Sequence, residues 1–557
     1  MAKQPVHPHP INFPLYPISI SRGIVIFSLF LFPLLSPGQT LGPEMTLRNG
    51  ALNGSTFEEV MAFDGTAGFV AWTDTRIGGF GGDDVYAQKV NADGSVAWTM
   101  DGYPACDADQ SQNNPQLSPD GSGGLFVVWS DERPSGWTAI YGQRISPDGT
   151  PLWTEDGIQL GGSDNDQYQP RVLHIDGEEF YVTHGEERDG SSGREYWLIV
   201  HRIGANGQQL WEPTGFPALK GVRAMSSALD GEGGLVVFGR IREDAEGYRV
   251  QRVLSNQMLA WENPVDILGD LPDYSSSRAY FTYDGDGVGG ILIAYFTAST
   301  LRLVRVAGDG STPWGPTGIL ISENISTLQL PDVLADGNGG AFISWIEDDL
   351  PDRLRMQHYQ SDGSPAWASG GIEMAGDSAA FFSNPNISPD GEGGFFISFE
   401  TSFNTWAQQV NSAGQALWDD AGSSGLNLES GFEPEIGPGG KGPLVIMEKS
   451  DGLVSRAITG LPFTGLTVGD WSETEIGWVY GVTADWGLSA YMGTVYLPLL
   501  PFIYQVNLGW LYAFASNRPE HVLFAYDHGW LLTNESWGGF YYNYATAAYA
   551  EFGDPPP

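Results

Sequence analysis

The chain has almost no cysteine, since Cys106 is the only one among 557 residues. A single cysteine excludes an internal disulfide, so the fold must be held together by packing alone. Positive charge is also scarce, with 26 Lys and Arg against 68 Asp and Glu and a formal net charge of −42. A surface with this much negative charge repels phosphate backbones and anionic lipids, which argues against nucleic-acid and membrane-surface partners. It suits neutral or cationic ligands and divalent cations.

Familiar catalytic and metal-binding motifs are missing as well. The six histidines after residue 38 show no paired metal spacing, and neither a G-x-S-x-G elbow nor a phosphate-binding glycine loop occurs. The segment DGDGVGG has half of a calcium loop, with Asp284 and Asp286 at alternate positions, but Gly289 and Gly290 stand where an acidic ligand is needed. We interpret this segment as a turn and expect no cofactor, with calcium at the two aspartates as the weaker alternative. The sequence identifies no catalytic residue.

One apolar run stands out, IVIFSLFLFPLL at residues 24–35. It is too short for a membrane span and contains Pro33, while Lys3 and Arg22 supply positive charge before it. This pattern predicts an export signal that is cleaved after Gly38. We therefore expect a secreted or cell-surface protein that does not span a membrane after cleavage.

Two motifs recur along the chain. The first is D-G-x-G-G or a variant of it, followed by an apolar strand whose last bulky residue is, in successive copies, Trp72, Trp129, His184, Phe238, Tyr295, Trp345, Phe399 and Met447. The second is a tight turn that leads into Trp98, Trp153, Trp211, Trp261, Trp314, Trp367 and Trp418. The tryptophans recur about every 53 residues, a period in the range of propeller blades.

Each repeat predicts four short antiparallel strands. The second strand is apolar throughout, so both of its faces must be buried, as they are between neighbouring blades. Eight copies of the first motif but seven of the second indicate that the N-terminal segment completes the last blade, near residues 443–458. We predict an all-β fold, a β-propeller of eight four-stranded blades, with seven as the alternative if the unit around residues 177–222 is not a full blade.

W-x-D-x-R occurs twice, as Trp72-Asp74-Arg76 and Trp129-Asp131-Arg133, with a remnant at Glu186 and Arg188. An Asp just after a strand can accept N–H groups of the following loop, and the Arg can pair with a carboxylate. We favour this structural role over a ligand-binding one. With the Y-x-Q-[KR]-[VI] and D-G-x-x-x-W segments, the motif resembles a repeat of secreted and cell-surface bacterial β-propeller proteins. The resemblance covers residues 40–460 and implies a propeller but no activity.

A column of mostly basic residues lies at one position of the predicted third strands. Its members are Lys89, Arg144, Arg202, Arg252, Arg305, His358, Gln409 and Arg456. We expect each basic side chain to neutralise an acid of the adjacent blade. The alternative is a ring around the axis that binds an anion.

The composition changes near residue 463, after which aromatic residues crowd together. The sequence thus divides into a signal peptide at 1–38, a propeller at 39–462 and an aromatic-rich C-terminal β domain at 463–557. This last segment resembles small aromatic C-terminal domains of secreted bacterial proteins and, less closely, the Gly-Trp repeats of choline-binding modules. Exposed aromatic rings could stack on sugars, whereas a domain without disulfides also needs aromatics for its core. The candidate ligand-binding residues are Trp478, Tyr480, Trp510, Tyr512 and Trp530.

The sequence supports two functions. The first is an exported, non-catalytic propeller that binds protein or polysaccharide and is held at the cell envelope or a glycan by its C-terminal domain. Its partners would be an envelope polymer, a polysaccharide or an extracellular protein, bound by long loops such as TRIGGFGGDD and EERDGSSGREYW, which we expect on one rim. The alternative is a glycan-active hydrolase or lyase with carboxylates in the propeller funnel. A propeller fold alone supports neither over the other.

Overall fold

The structure is a computed structural model. Within residues 40–459 it describes 40–49, 56–76, 82–134, 136–175, 179–191, 193–241, 247–268, 281–296, 300–323, 325, 331–347, 352–374, 382–402, 404–418, 425–440, 442–449 and 452–459. Beyond these it describes ten strands between residues 471 and 551. The described part contains no α-helix, and so none long and apolar enough to cross a membrane. The segment predicted as an export signal, residues 1–38, lies outside the described residues.

Eight antiparallel sheets make up residues 40–459. The first strands of the eight blades are Thr56–Phe63, Gln112–Pro119, Gln167–Ile175, Val222–Leu229, Phe281–Gly285, Asp332–Ala335, Ser383–Pro389 and Phe432–Pro438. The second strands are Gly68–Asp74, Leu125–Asp131, Glu179–Gly190, Leu235–Ile241, Ile291–Phe296, Ala341–Glu347, Phe395–Glu400 and Pro443–Lys449. The third strands are Asp84–Val90, Ala139–Ile145, Gly193–Gly204, Gly247–Val253, Leu301–Val306, Arg353–Tyr359, Thr405–Val410 and Gly452–Thr459. The fourth strands of blades 1 to 7 are Tyr103–Cys106, Ile158–Gln159, Phe216–Lys220, Val265–Leu268, Ile319–Ser322, Ile372–Met374 and Leu426–Glu429.

The apolar second strands lie in the interior, as predicted. Every residue of Gly68–Asp74 and of Leu125–Asp131 is buried. Hydrophobic clusters extend from one blade to the next, and one of them joins Phe69 and Ala71 of blade 1 to Val127 of blade 2. A single four-stranded sheet cannot cover both of its faces, so each blade depends on its neighbours for its core.

The blades form a closed ring. The first strand of every blade contacts the first strands of the blades on either side, including the first and the eighth. The N-terminal segment completes blade 8, because Thr40–Leu41 and Met45–Asn49 both pair with its third strand, Gly452–Thr459. The prediction of eight blades closed by the N-terminal strand is therefore confirmed, and the weak third repeat is a full blade. The fold is an eight-bladed β-propeller.

The C-terminal residues form one ten-stranded antiparallel sheet in which each strand pairs with the next along the chain. Its strands are Trp471–Thr474, Gly477–Gly481, Trp486–Ser489, Gly493–Leu499, Phe502–Gln505, Gly509–Phe514, Glu520–Ala525, Gly529–Asn534, Phe540–Asn543 and Ala548–Glu551. This all-β architecture agrees with the predicted fold class.

Candidate functional site

The propeller has two rims with different connections. Because the strands of a blade are antiparallel, the turns that join strands 1 to 2 and 3 to 4 emerge at one rim, which we call the turn rim. The loops that join strand 2 to 3, and strand 4 to the next blade, emerge at the other, which we call the loop rim. Asp120 lies in a D-G turn of the turn rim, and Asp131 ends a second strand at the loop rim.

On the turn rim, the D-G aspartates hold their own turns together. One oxygen of Asp120 accepts the N–H groups of Ser122 and Gly124 at 2.9 and 2.8 Å, while the other accepts Arg144 Nε at 3.0 Å. Burial alone would raise the pKa of Asp120, but these donors outweigh it and lower the pKa below its ordinary value. The same arrangement joins Asp230 to Arg252. It also recurs in the pairs Asp286 with Arg305, Asp336 with His358 and Asp390 with Gln409.

These pairs correct the prediction for most of the basic column, although Arg456 of blade 8 does pair with Glu429 of blade 7, at 3.4 Å. We expected each basic side chain to meet an acid of the adjacent blade, but Arg144, Arg252 and Arg305 pair with the D-G aspartate of their own blade. Third and first strands of one blade flank the same second strand, so the guanidinium reaches its own turn first. Asp286 therefore pairs with Arg305, whereas Asp284 accepts the N–H of Ala335 in blade 6. The two aspartates are used separately as structural acceptors, in line with the interpretation of this segment as a turn.

The adjacent blade instead supplies a carbonyl group. An arginine of the basic column and the tryptophan that follows the second motif both donate hydrogen bonds to it. In blade 4, Arg252 and the Trp261 indole both donate to Gly308 O, at 3.2 and 3.1 Å. Blade 2 uses Arg144 and Trp153 on a single carbonyl in the same way. The turn rim is therefore a row of links between blades, and its polar side chains are used within the fold.

The W-x-D-x-R motif on the loop rim is also structural. Asp131 accepts the Trp129 indole N–H at 2.8 Å, the Arg133 backbone N–H at 2.9 Å and the Arg133 guanidinium at 2.7 Å. The guanidinium lies 4.2 Å from the centre of the Tyr141 ring. The arginine of the motif thus pairs with the aspartate of the same motif, which holds the start of the loop against the blade.

Several carboxyl groups lie on the first strands of the blades, which are the inner strands of the ring. A catalytic funnel would require carboxyl groups there. Burial raises the pKa of Asp332 to about 7 and that of Asp284 to about 6. Burial, together with the charges of Asp332 and Glu433, raises the pKa of Glu435 to about 8. Asp332, however, accepts the N–H of Ile387 at 2.8 Å and the Thr282 hydroxyl at 3.1 Å. At least two of these acids therefore brace neighbouring blades.

Near the loop rim, the inner strands carry polar residues on bulges. The register of the first strand shifts in several blades, and a non-glycine residue there has a positive φ, namely Glu58, Asn114, Gln169, Asn384 and Glu433. A bulge of this kind re-aims a side chain and costs backbone strain. Some of these side chains link blades, since Glu58 accepts the N–H of Asn114 at 2.6 Å and Gln169 that of Met225 at 3.2 Å.

The cavity with the most binding features lies on the loop rim between blades 2 and 3. It encloses about 160 Å³ and is lined by Gly136, Trp137, Asp164, Asn165, Asp166, Glu187, Arg188, Asp189 and Arg194. Three segments far apart in sequence build it: the loop after Asp131, the connection from blade 2 to blade 3, and the long hairpin of blade 3. That hairpin has twelve residues in each strand, Glu179–Gly190 and Gly193–Gly204, and pairs as far as Gly190 with Gly193. We call this the blade 2–3 cavity.

Hydrogen bonds hold the walls of the blade 2–3 cavity in place. The N–H of Thr138 donates to Asp166 Oδ1 at 3.2 Å, and Arg194 pairs with Glu187 at 2.6 Å. Buried Glu186 lies behind the wall, where it accepts Asn165 at 2.9 Å and pairs with Arg188 at 2.5 Å. The structure thus presents a partly exposed indole beside prearranged polar groups.

Sequence reasoning anticipated only part of this cavity. The segment EERDGSSGREYW was expected at the rim, and its hairpin does form one wall. Trp137 and Asp164–Asp166 were missed, because no motif marks them and only the packing of two blades brings them to the hairpin. A larger cavity of about 360 Å³ lies on the turn rim beside Lys89 and Asp93, but its Lys89 ammonium donates to Gly123 O at 2.6 Å.

The predicted C-terminal ligand residues all lie on strands. Trp478 and Tyr480 belong to Gly477–Gly481, Trp510 and Tyr512 to Gly509–Phe514, and Trp530 to Gly529–Asn534. In the register of the sheet, Phe524 pairs with both Tyr512 and Trp530. Their role in binding stays a prediction. Among the described residues no cluster of three or more acidic, His or Cys side chains is arranged to hold a metal ion.

Comparisons with known proteins give fold neighbours only. No protein family and no curated protein matches the chain. Among solved structures, the BP39L lectin from Burkholderia pseudomallei is similar, with 14% identity, a TM-score of 0.38 and coverage of 62% of this chain and 96% of the lectin. An ulvan lyase of polysaccharide lyase family PL25 has 11% identity, a TM-score of 0.33 and coverage of 56% and 79%. The GH43_1 enzyme from Xanthomonas citri has 16% identity, a TM-score of 0.25 and coverage of 48% and 92%. Such distant likenesses carry no inference about activity.

Proposed function

We propose that this protein is an exported, non-catalytic β-propeller that binds carbohydrate at its loop rim. The observation that carries the proposal is the blade 2–3 cavity, in which the Trp137 ring lies among carboxylates, an amide and two guanidinium groups. An aromatic side chain beside convergent hydrogen-bonding groups is a usual composition of a sugar subsite, because one side of a sugar ring is apolar and its edge is polar.

The rest of the proposal follows from the sequence. The apolar run at residues 24–35 supports export, and the aromatic residues of the C-terminal sheet support attachment to the envelope or to a glycan. The partner of the rim would be a polysaccharide or the glycan of an extracellular protein. A cavity of about 160 Å³ is smaller than pockets for drug-sized ligands, and accordingly suits one ring of a longer chain.

The test is a glycan array followed by calorimetry with the best ligand. Trp137→Ala should weaken binding at least tenfold, because stacking on the indole is lost. Phe432→Ala is the matched control, since Phe432 is 56% exposed and begins the first strand of blade 8. Equal affinities of Trp137→Ala and the unaltered protein would refute the assignment of this cavity.

A second function is favoured by a separate observation, the raised pKa of Glu435. A carboxyl group with a pKa of about 8 is protonated at neutral pH and could serve as the general acid of a glycan hydrolase or lyase. The assay is release of reducing ends or unsaturated products from a polysaccharide panel. Activity that Glu435→Gln abolishes would establish the enzyme and reject the non-catalytic proposal.

A further inference from the structure

The blade 2–3 cavity carries an excess of negative charge. Four carboxylates line it, Asp164, Asp166, Glu187 and Asp189, against two guanidinium groups. Both guanidinium groups already have partners, because Arg194 pairs with Glu187 and Arg188 pairs with Glu186 behind the wall. None of the ion pairs within the described residues involves the three remaining acids, Asp164, Asp166 and Asp189. Asp189 also lies directly opposite Arg194 in the register of the hairpin, so the lining has an excess of about two negative charges next to an indole.

This charge selects among saccharides. A uronate or a sulfated sugar would bring more negative charge into the cavity and would be repelled, and the net charge of −42 adds to that repulsion. A neutral sugar would leave the carboxylates without a counter-charge. An ammonium group would gain charge-assisted hydrogen bonds from the carboxylates and attraction to the electron-rich face of Trp137.

We propose that the blade 2–3 cavity binds a cationic, amine-bearing saccharide. This inference rests on the proposed carbohydrate-binding function and names the ligand class of the same site. In the complex, a sugar ring stacks on Trp137 while its ammonium group lies among Asp164, Asp166 and Asp189. The free hydroxyl groups are then within reach of the Asn165 amide.

The probes are two oligosaccharides that differ only in charge, a β-1,4-linked tetramer of glucosamine and its fully N-acetylated form. Calorimetry with the full chain is carried out at a pH at which the amines are protonated. We expect the amine form to bind at least tenfold more tightly. This preference should shrink in high salt, because exposed charges are screened within about 10 Å at 0.1 M salt.

Two triple variants separate local from long-range charge. Asp164→Asn, Asp166→Asn and Asp189→Asn together should weaken binding of the amine tetramer at least tenfold. The control triple, Glu262→Gln, Glu323→Gln and Glu392→Gln, removes the same number of charges from exposed sites outside the cavity. It should change the affinity less than twofold. Unfolding midpoints of both variants confirm that each is folded.

The outcomes distinguish this inference from the proposed function. If the N-acetylated tetramer binds as tightly as the amine form and Trp137→Ala weakens both, the cavity binds sugar but the charge argument is wrong. If the control triple loses as much affinity as the cavity triple, the attraction is general and the assigned acids are wrong. If no saccharide binds on the array or in calorimetry, the proposed function itself is refuted.

Discussion

The turn rim and the blade 2–3 cavity of the loop rim use the same kinds of residue in opposite ways. On the turn rim, Asp230 has two backbone N–H donors and the Arg252 guanidinium, and it is 1% exposed. On the loop rim, Asp166 accepts a single N–H at 3.2 Å and is exposed. An aspartate with all its partners in the fold stabilises a blade, whereas one with spare acceptor capacity at a cavity can meet a ligand.

The comparison extends to tryptophan. Trp261 donates its indole N–H to a carbonyl of the next blade, and its neighbours on the turn rim repeat this bond. The buried indole nitrogen of Trp137 has no such partner, and its ring lines a cavity. Repetition of a contact around the ring indicates a structural role, whereas Trp137 stands outside this repeat and lines a cavity.

Removing the strands that close the ring should have the largest effect on stability. Deletion of residues 40–49 takes away two strands of blade 8 and buried Leu47, and exposes the third strand as an unpaired edge. We expect loss of cooperative thermal unfolding or aggregation, measured by calorimetry and light scattering. Deletion of residues 552–557 is the control and should leave the propeller transition unchanged. An unaltered transition after the first deletion would show that the ring does not need this closure.

Replacing one aspartate on each rim by alanine tests the comparison directly. Asp230→Ala should lower the free energy of unfolding by about 2–4 kcal/mol, because two backbone N–H groups lose their acceptor and Arg252 keeps only Glu232 as a carboxylate partner. Asp166→Ala should cost less than about 1 kcal/mol, since its carboxylate is exposed. Urea denaturation followed by intrinsic fluorescence measures both. Equal losses would show that the two rims do not differ in this way.

The pH dependence of stability should reveal two carboxyl groups of the first strands, Asp332 and Glu435, which we call the axial carboxyl groups. A folded-state pKa raised to about 8 means that Glu435 contributes stability that is complete below its unfolded pKa and is lost as the pH rises through 8. Asp332, with a pKa raised to about 7, acts in the same direction. Unfolding midpoints should therefore fall between pH 6 and pH 9, and Glu435→Gln should remove about 2–3 kcal/mol of that loss. Exposed Glu392→Gln should remove none.

A buried histidine pair should act with the opposite sign. His184 and His201 stack in blade 3, with their Nε2 atoms 3.0 Å apart. Burial lowers their pKa values to about 4 and about 3, so their contribution is complete above pH 6.5 and is lost as the pH falls toward 3. The two contributions oppose each other where their ranges overlap, so the propeller should be most stable between about pH 4.5 and pH 6.5. A monotonic rise of stability up to pH 9 would contradict the assignment of the axial carboxyls.

How far the fold could be predicted depended on whether a feature is local. The D-G turns, the apolar second strands and the spacing of Trp98, Trp153 and the later copies are local patterns that recur from blade to blade. They sufficed for the number of blades and for closure by the N-terminal segment. The prediction for the basic column was wrong for Arg144, Arg252 and Arg305, because a sequence pattern cannot say whether an arginine reaches an acid of its own blade or of the next one. The cavity was missed because Trp137 is separated from Arg194 by more than one blade repeat.

The sequence by itself determined a closed propeller and favoured eight blades over seven, because the hydrophobic second strand of each repeat needs neighbours on both faces and the missing last strand needs the N-terminal segment. Only the tertiary structure decided the partners of the charged groups and the place of the cavity. Both depend on distances between side chains of different strands and blades, which are set by packing of neighbouring sheets and not by position along the chain.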